Sequence, residues 1–156
     1  MSNISMTTSK RNAIVTVMLI SAFVSMLNQT ILNTALPAII KGLNITETTA
    51  QWLITGFMLV NGIMIPLTAF LMDKYSTRHL YIFSMAIFLI GSIVAAFSPT
   101  FSILMISRII QAIGAGILLP LMQFTVFTLF PAEQRGFAMG LAGVVVQSAP
   151  AIGPTL

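Results

Sequence analysis

Few side chains in this sequence are suited to chemistry, and their placement limits what that chemistry could be. There is no cysteine and a single histidine, His79, so thiolate ligands, disulfides and sites built on paired imidazoles are excluded. The three acidic residues, Glu47, Asp73 and Glu133, lie between the apolar runs, in loops. No carboxylate is therefore placed to attack a substrate or to carry a proton inside an apolar segment. An enzyme is not expected, and neither is a metal or any other cofactor. What remains is a cation and an amide, Arg108 and Gln111, in the run "RIIQAIGAG". Their spacing of three puts them on one helical face. In "SMLNQTILNTALPAI" the polar residues Gln29, Thr30, Asn33 and Thr34, with Pro37, recur three and four apart and predict a second polar stripe.

The elements that must position these residues follow from composition. Of the residues, 57% are hydrophobic and 6% charged, and the mean hydropathy is +1.01. A soluble domain of this size cannot hide so much apolar surface. A hydrocarbon core about 30 Å thick takes roughly 20 helical residues to cross, and uncharged runs of that length recur from Asn12 to Ile40, Thr48 to Met72 and Leu80 to Ser107, then after Arg108 and after Arg135. Lipid offers the backbone no hydrogen bonds, and the period-two alternation of barrel strands is absent, so the runs are helices. The expected fold is an all-α polytopic membrane bundle with helices near 13–38, 50–71, 80–98, 101–126 and 136–156.

Charge sets the orientation. With the amino terminus inside, Lys10, Arg11, Lys74, Arg78 and Arg135 fall on the cytoplasmic side and only Lys41 outside, the asymmetry of a multi-pass protein of the cell membrane. Dispersed among loops, these bases suit an inner-leaflet surface and not a nucleic acid. Arg108 lies about seven residues into the fourth helix, roughly 10 Å deep. A charge at that depth is costly and marks function, unless it snorkels to the interface. Amides of the first-helix stripe would be costly against lipid as well, so they should face other helices or a watery cavity. Small residues from Gly114 to Gly116, at Gly136, Gly140 and Gly143, and at Ala149 and Gly153 allow close helix approach, while Pro150 and Pro154 invite a bend in the fifth helix.

Four of these stretches together resemble the major facilitator superfamily, and within it the fourteen-helix drug:proton antiporters of the EmrB/QacA type. "LNQTILNTALP" is similar to that group's first-helix signature at Leu27, Thr30, Asn33, Ala35, Leu36 and Pro37, with Asn28 where the family usually has aspartate. The loop after the second helix retains the family's Asp73, Lys74 and Arg78, whereas Ala69, Ser76 and Thr77 depart from its pattern. Arg108, Gln111 and Gly114 match the fourth-helix motif, with Ala112 in place of a glycine. In the fifth helix Gly140, Ala149, Gly153 and Pro154 fall at the places of the antiporter motif, Ala149 replacing a glycine.

The resemblance implies an exporter whose two halves alternate access to a midplane cavity. Under it, Arg108 and Gln111 belong to the region of proton coupling. Gln29, Thr30, Asn33 and Thr34 border the cavity. Asp73, Lys74, Arg78 and Arg135 form a cytoplasmic charge cluster, and the fifth helix forms a bending contact between the halves. Protons and small amphiphilic substrates would be the cargo, and the remaining helices of the same transporter the partners. The final motif glycine would be the next residue, so residues 1–156 are expected to be an incomplete first six-helix half, cut within the fifth helix. Two alternatives remain open: another facilitator that carries metabolites, and a membrane fragment that transports nothing and only associates with partners.

Overall fold

The computed structural model describes residues 7–153 as five helices: α1 (Thr8–Leu43), α2 (Glu47–Lys74), α3 (Thr77–Ala96), α4 (Phe101–Leu129) and α5 (Ala132–Ile152). No strand occurs among the described residues, in keeping with the all-α expectation. Helices α1 to α4 are each long and apolar enough to cross a membrane. In α5, glycine, alanine, serine and glutamine dilute the larger apolar side chains.

The helices overrun the charge-free segments that predicted them. A charge ends an apolar run but does not break a helix, so Lys10, Arg11, Lys41, Asp73, Lys74 and Arg78 all sit in helical turns. Asp73, Lys74, Arg78 and His79 are thus corrected from a loop to the facing ends of α2 and α3, and Glu47 and Glu133 to the first turns of α2 and α5. Pro154 and the end of the predicted fifth helix lie outside the described residues. Capping chemistry supplies the actual stops. Asn44 adopts φ 51° and donates its backbone N–H to Ile40 O, a left-handed conformation that asparagine tolerates. Two residues on, Thr46 caps α2, its hydroxyl accepting from the Thr49 N–H at 3.2 Å.

Packing inverts the pattern of a soluble protein. Leu59, Ile63, Phe83, Ile90 and Val144 are exposed, while Ser84, Ser107, Thr68, Arg108 and Gln111 are buried. Lipid tails are as apolar as leucine, so burial of apolar area does not drive the helices together; close van der Waals fit and interhelical hydrogen bonds do. Helix α4 is the hub, with buried residues from Leu104 to Val126. Its tightest approach is to α3. A Cβ on Gly114 would lie 2.7 Å from Ser84 O, and one on Gly91 would lie 2.9 Å from Gln111 N. Each glycine admits the other helix's backbone. Pro120, within α4, lacks the N–H that would bond Gly116 O. The Thr68 hydroxyl of α2, bonded to Met64 O at 2.7 Å, also reaches that carbonyl at 3.4 Å.

Candidate functional site

Arg108 does not snorkel. It is 1% exposed, and four helices meet around it. From its position on α4 the guanidinium Nη1 donates to Asn28 Oδ1 on α1 at 3.1 Å and to Gln111 Oε1, one turn along α4, at 2.8 Å. Its face lies over the Phe57 ring of α2, with Cζ 4.3 Å from the centroid, a geometry that attracts a cation to the ring quadrupole. Gln111 Nε2 in turn donates to Ser92 Oγ on α3 at 3.0 Å, and that hydroxyl donates to Phe88 O at 2.8 Å. The resulting chain of polar groups crosses the bundle from α1 through α4 to α3. Room for it comes from Gly91, whose missing side chain is replaced by the Gln111 side chain and backbone. Every partner of the cation is neutral. Nε and Nη2 are buried and have no hydrogen-bond acceptor among the described residues.

The spacing of Arg108 and Gln111 thus located the centre of the network, but Phe57, Ser92 and Gly91 gave no signal. An aromatic, a serine and a glycine in apolar runs look like packing until the facing helix is known. Asn28 stood out only as a departure from a motif, not as a partner of Arg108.

The first-helix stripe divides. Gln29 lines a small cleft with Ser25, Met26, Phe57, Asn61 and Leu118, next to the guanidinium shell. Thr30 instead meets α5, where a Cβ on Gly153 would overlap its Cβ and Cγ2. Its hydroxyl bonds back to Met26 O, and that of Thr34 to Thr30 O. Asn33 and Thr34 are exposed. A single stripe borders no one cavity here, because a helix at 3.6 residues per turn drifts past two neighbours over this length.

Nor does the charge cluster close through ion pairs among the described residues. Lys74 Nζ lies 4.7 Å from the Phe70 ring centroid, and Asp73 and Arg78 are exposed. Arg135 Nε donates to Phe130 O at 3.0 Å, while Arg11 covers the Phe130 ring at 4.4 Å. Two arginines from α1 and α5 therefore meet on one phenylalanine at the same end of the bundle. In α5, Ala149 is fully buried and Gly153 packs on Thr30, but Gly140 and Gly143 have nothing within 4 Å of where a Cβ would stand. A second cleft, of about 640 Å³, opens between α1, α3 and α4 and is lined by Ile14, Val17, Met18, Arg78, Tyr81 and Phe124.

Apolar helices of membrane-spanning length packed around a buried arginine with neutral partners are the construction of a polytopic membrane protein. Residues 18–156 match the Major Facilitator Superfamily, and the chain belongs to that family, whose members are transporters and not enzymes. It is 56% identical over 146 residues to the MFS-type transporter YcnB of Bacillus subtilis, which covers 94% of this chain and 31% of YcnB. It is 46% identical to the lincomycin resistance protein LmrB of the same organism, over 88% of this chain and 29% of LmrB. The probable multidrug resistance protein EmrY of Escherichia coli is 34% identical, over 88% of this chain and 27% of its own length. The chain thus spans about a third or less of these curated relatives.

Proposed function

We propose that these residues form the first five helices of a proton-driven exporter of drugs or other amphiphiles in the bacterial cell membrane, with the amino terminus cytoplasmic. The observation that carries the reading is Arg108, buried inside the apolar helix α4 and joined to α1 and α3 through Asn28, Gln111 and Ser92. A cation so placed couples helices that move relative to one another, because any shift of α1 against α4 breaks a charge-assisted hydrogen bond. Family membership and relatives named for lincomycin and multidrug resistance support the cargo class.

Arg108 and Gln111 would link proton movement to the conformational change. Gln29 would border the cavity, and Thr30, Asn33 and Thr34 would follow it along α1. Asp73, Lys74, Arg78 and Arg135 would hold one conformational state from the cytoplasmic side. The open glycine face of α5 at Gly140 and Gly143 would meet the other half of the transporter, with Ala149 and Gly153 in the same contact. With three carboxylates, all at helix ends, the proton carrier would belong to helices outside these residues. The test is expression of the intact gene in a host stripped of its own efflux pumps. It should confer resistance to several amphiphiles, abolished by collapsing the proton gradient. Reporters placed at Asn44 and Pro99 should read as external, and at Ser76 and Glu133 as cytoplasmic. Resistance that survives loss of the gradient would refute the coupling, and a cytoplasmic Pro99 would refute the topology.

A further inference from the structure

Two arginines at one end of the bundle share a residue but no counter-charge. Arg11, in the first turn of α1, lays its guanidinium over the Phe130 ring, with Cζ 4.4 Å from the centroid. Arg135, in the first turn of α5, donates Nε to Phe130 O at 3.0 Å. Neither side chain has an ion-pair partner among the described residues. Glu133 stands two positions from Arg135, a spacing that turns the two side chains to different sides of the helix. Arg11 Nε is buried without an acceptor, whereas the Nη groups of both arginines are neither buried nor hydrogen-bonded to a described residue. Those terminal nitrogens are open to an anion. The backbone adds to the attraction, since α1 begins with no acidic residue in its first turn and no side-chain cap. Its free N–H groups and the positive end of its dipole stand unanswered.

Position selects the kind of anion. Arg11 comes immediately before the uncharged run that begins at Asn12, and Arg135 lies just past the end of α4 at Leu129. Both stand where apolar helix gives way to polar chain, the level at which spanning helices meet phospholipid headgroups. Arg135 Cζ also lies 6.0 Å from the ring centroid of Phe127, which is half exposed and offers an apolar surface to a chain hanging from a headgroup. A phosphodiester carries one negative charge on two free oxygens, so it can take a guanidinium on each.

We propose that Arg11 and Arg135 form a headgroup site for an anionic phospholipid of the cytoplasmic leaflet, its phosphate bridging the first turns of α1 and α5. The choice of leaflet rests on the topology proposed above. The bridge itself does not.

The experiment uses the purified intact transporter in nanodiscs of phosphatidylglycerol or phosphatidylcholine with identical acyl chains. The wild type should melt several degrees higher in phosphatidylglycerol. Arg11→Gln and Arg135→Gln should each remove more than half of that difference. One phosphate held by both arms makes the two losses non-additive, so the double variant should lose little more than either single one. Lys10→Gln, which removes the exposed charge beside Arg11, should leave the difference nearly intact. Arg135→Lys keeps the charge but not the fork and should retain only part of it, so the test survives if Arg135→Gln does not fold. Equal melting in the two lipids overturns the proposal. Additive losses of similar size at Lys10, Arg11 and Arg135 overturn it too, because they mean diffuse attraction to a charged leaflet. Inorganic phosphate added to phosphatidylcholine discs should give almost none of the rise, and a rise that matches phosphatidylglycerol overturns the lipid assignment in favour of a soluble anion. Nanodiscs present the same lipid to both faces, so the melting result stands apart from topology and transport. A cytoplasmic reporter reading at Asn44 overturns the leaflet assigned here, whereas absence of any export sinks the transporter reading and leaves the site to be judged by melting.

Discussion

Helices α4 and α5 are both rich in small residues, yet they use them in opposite ways. In α4, Gly114 lies against the Ser84 carbonyl and Phe88 amide of α3, and Gly116 against Met64 and Asn61 of α2. In α5, Gly136, Gly140 and Gly143 face open space, and only Gly153, which caps the helix, finds a neighbour, Thr30. A glycine pattern therefore does not declare its purpose. In α4 it draws helices close enough for Arg108 and Gln111 to reach partners on α1 and α3. In α5 it leaves a smooth face with no neighbour among the described residues, the face that the proposed function gives to the other half of the transporter.

The largest effect that would test this contrast is at Gly114. Gly114→Leu would drive a side chain into the α3 backbone, which cannot yield as a side-chain tip would. The loss of stability should be about 3 kcal/mol or more, visible as failure to recover folded protein from the membrane. Wild-type yield from this variant would show that α3 and α4 are not so closely packed.

Next comes Arg108→Ala, which strips Asn28 and Gln111 of a buried donor and should cost roughly 2 kcal/mol. The variant should still insert, yet lose gradient-driven efflux by about tenfold or more, as expected of a single interaction worth about 1.4 kcal/mol in the rate-limiting step. Normal efflux would assign Arg108 to packing only.

A smaller effect is expected at Thr68→Val, which keeps the shape but removes the hydroxyl near the carbonyl freed by Pro120. Membrane hydrogen bonds of this kind average about 0.6 kcal/mol, so the unfolding midpoint should fall slightly with transport intact. A loss several times larger would mean that the Pro120 turn depends on α2.

The smallest effect on stability should come from Gly140→Ala in the 156-residue chain, where the new methyl meets nothing and helix propensity rises by about 0.5 kcal/mol. In the intact transporter the same change should lower efflux without lowering expression. Unchanged efflux would show that the open face of α5 is lipid-facing and takes no part in the motion.

Much of this was written in the chain itself. The uncharged runs determined five helices, because a segment without charge and with enough apolar residues has no other stable state in lipid. The depth of Arg108 followed from counting residues, and its importance from the cost of a charge there. Which helix supplies its partners did not follow. Periodicity states which side of a helix a residue is on, not which neighbour that side meets, so Asn28, Phe57 and Ser92 were indistinguishable from packing residues until α1, α2 and α3 were placed around α4. The stripe from Gln29 to Thr34 split for the same reason, one part turning to the α2 and α4 side and another to α5. Helix ends, too, depended on Asn44 and Thr46 rather than on where charge resumes. Hydropathy thus fixes what must lie in the membrane, whereas the contacts among helices depend on close van der Waals fit and individual hydrogen bonds, and those exist only once Gly91 and Gly114 have let α3 and α4 approach.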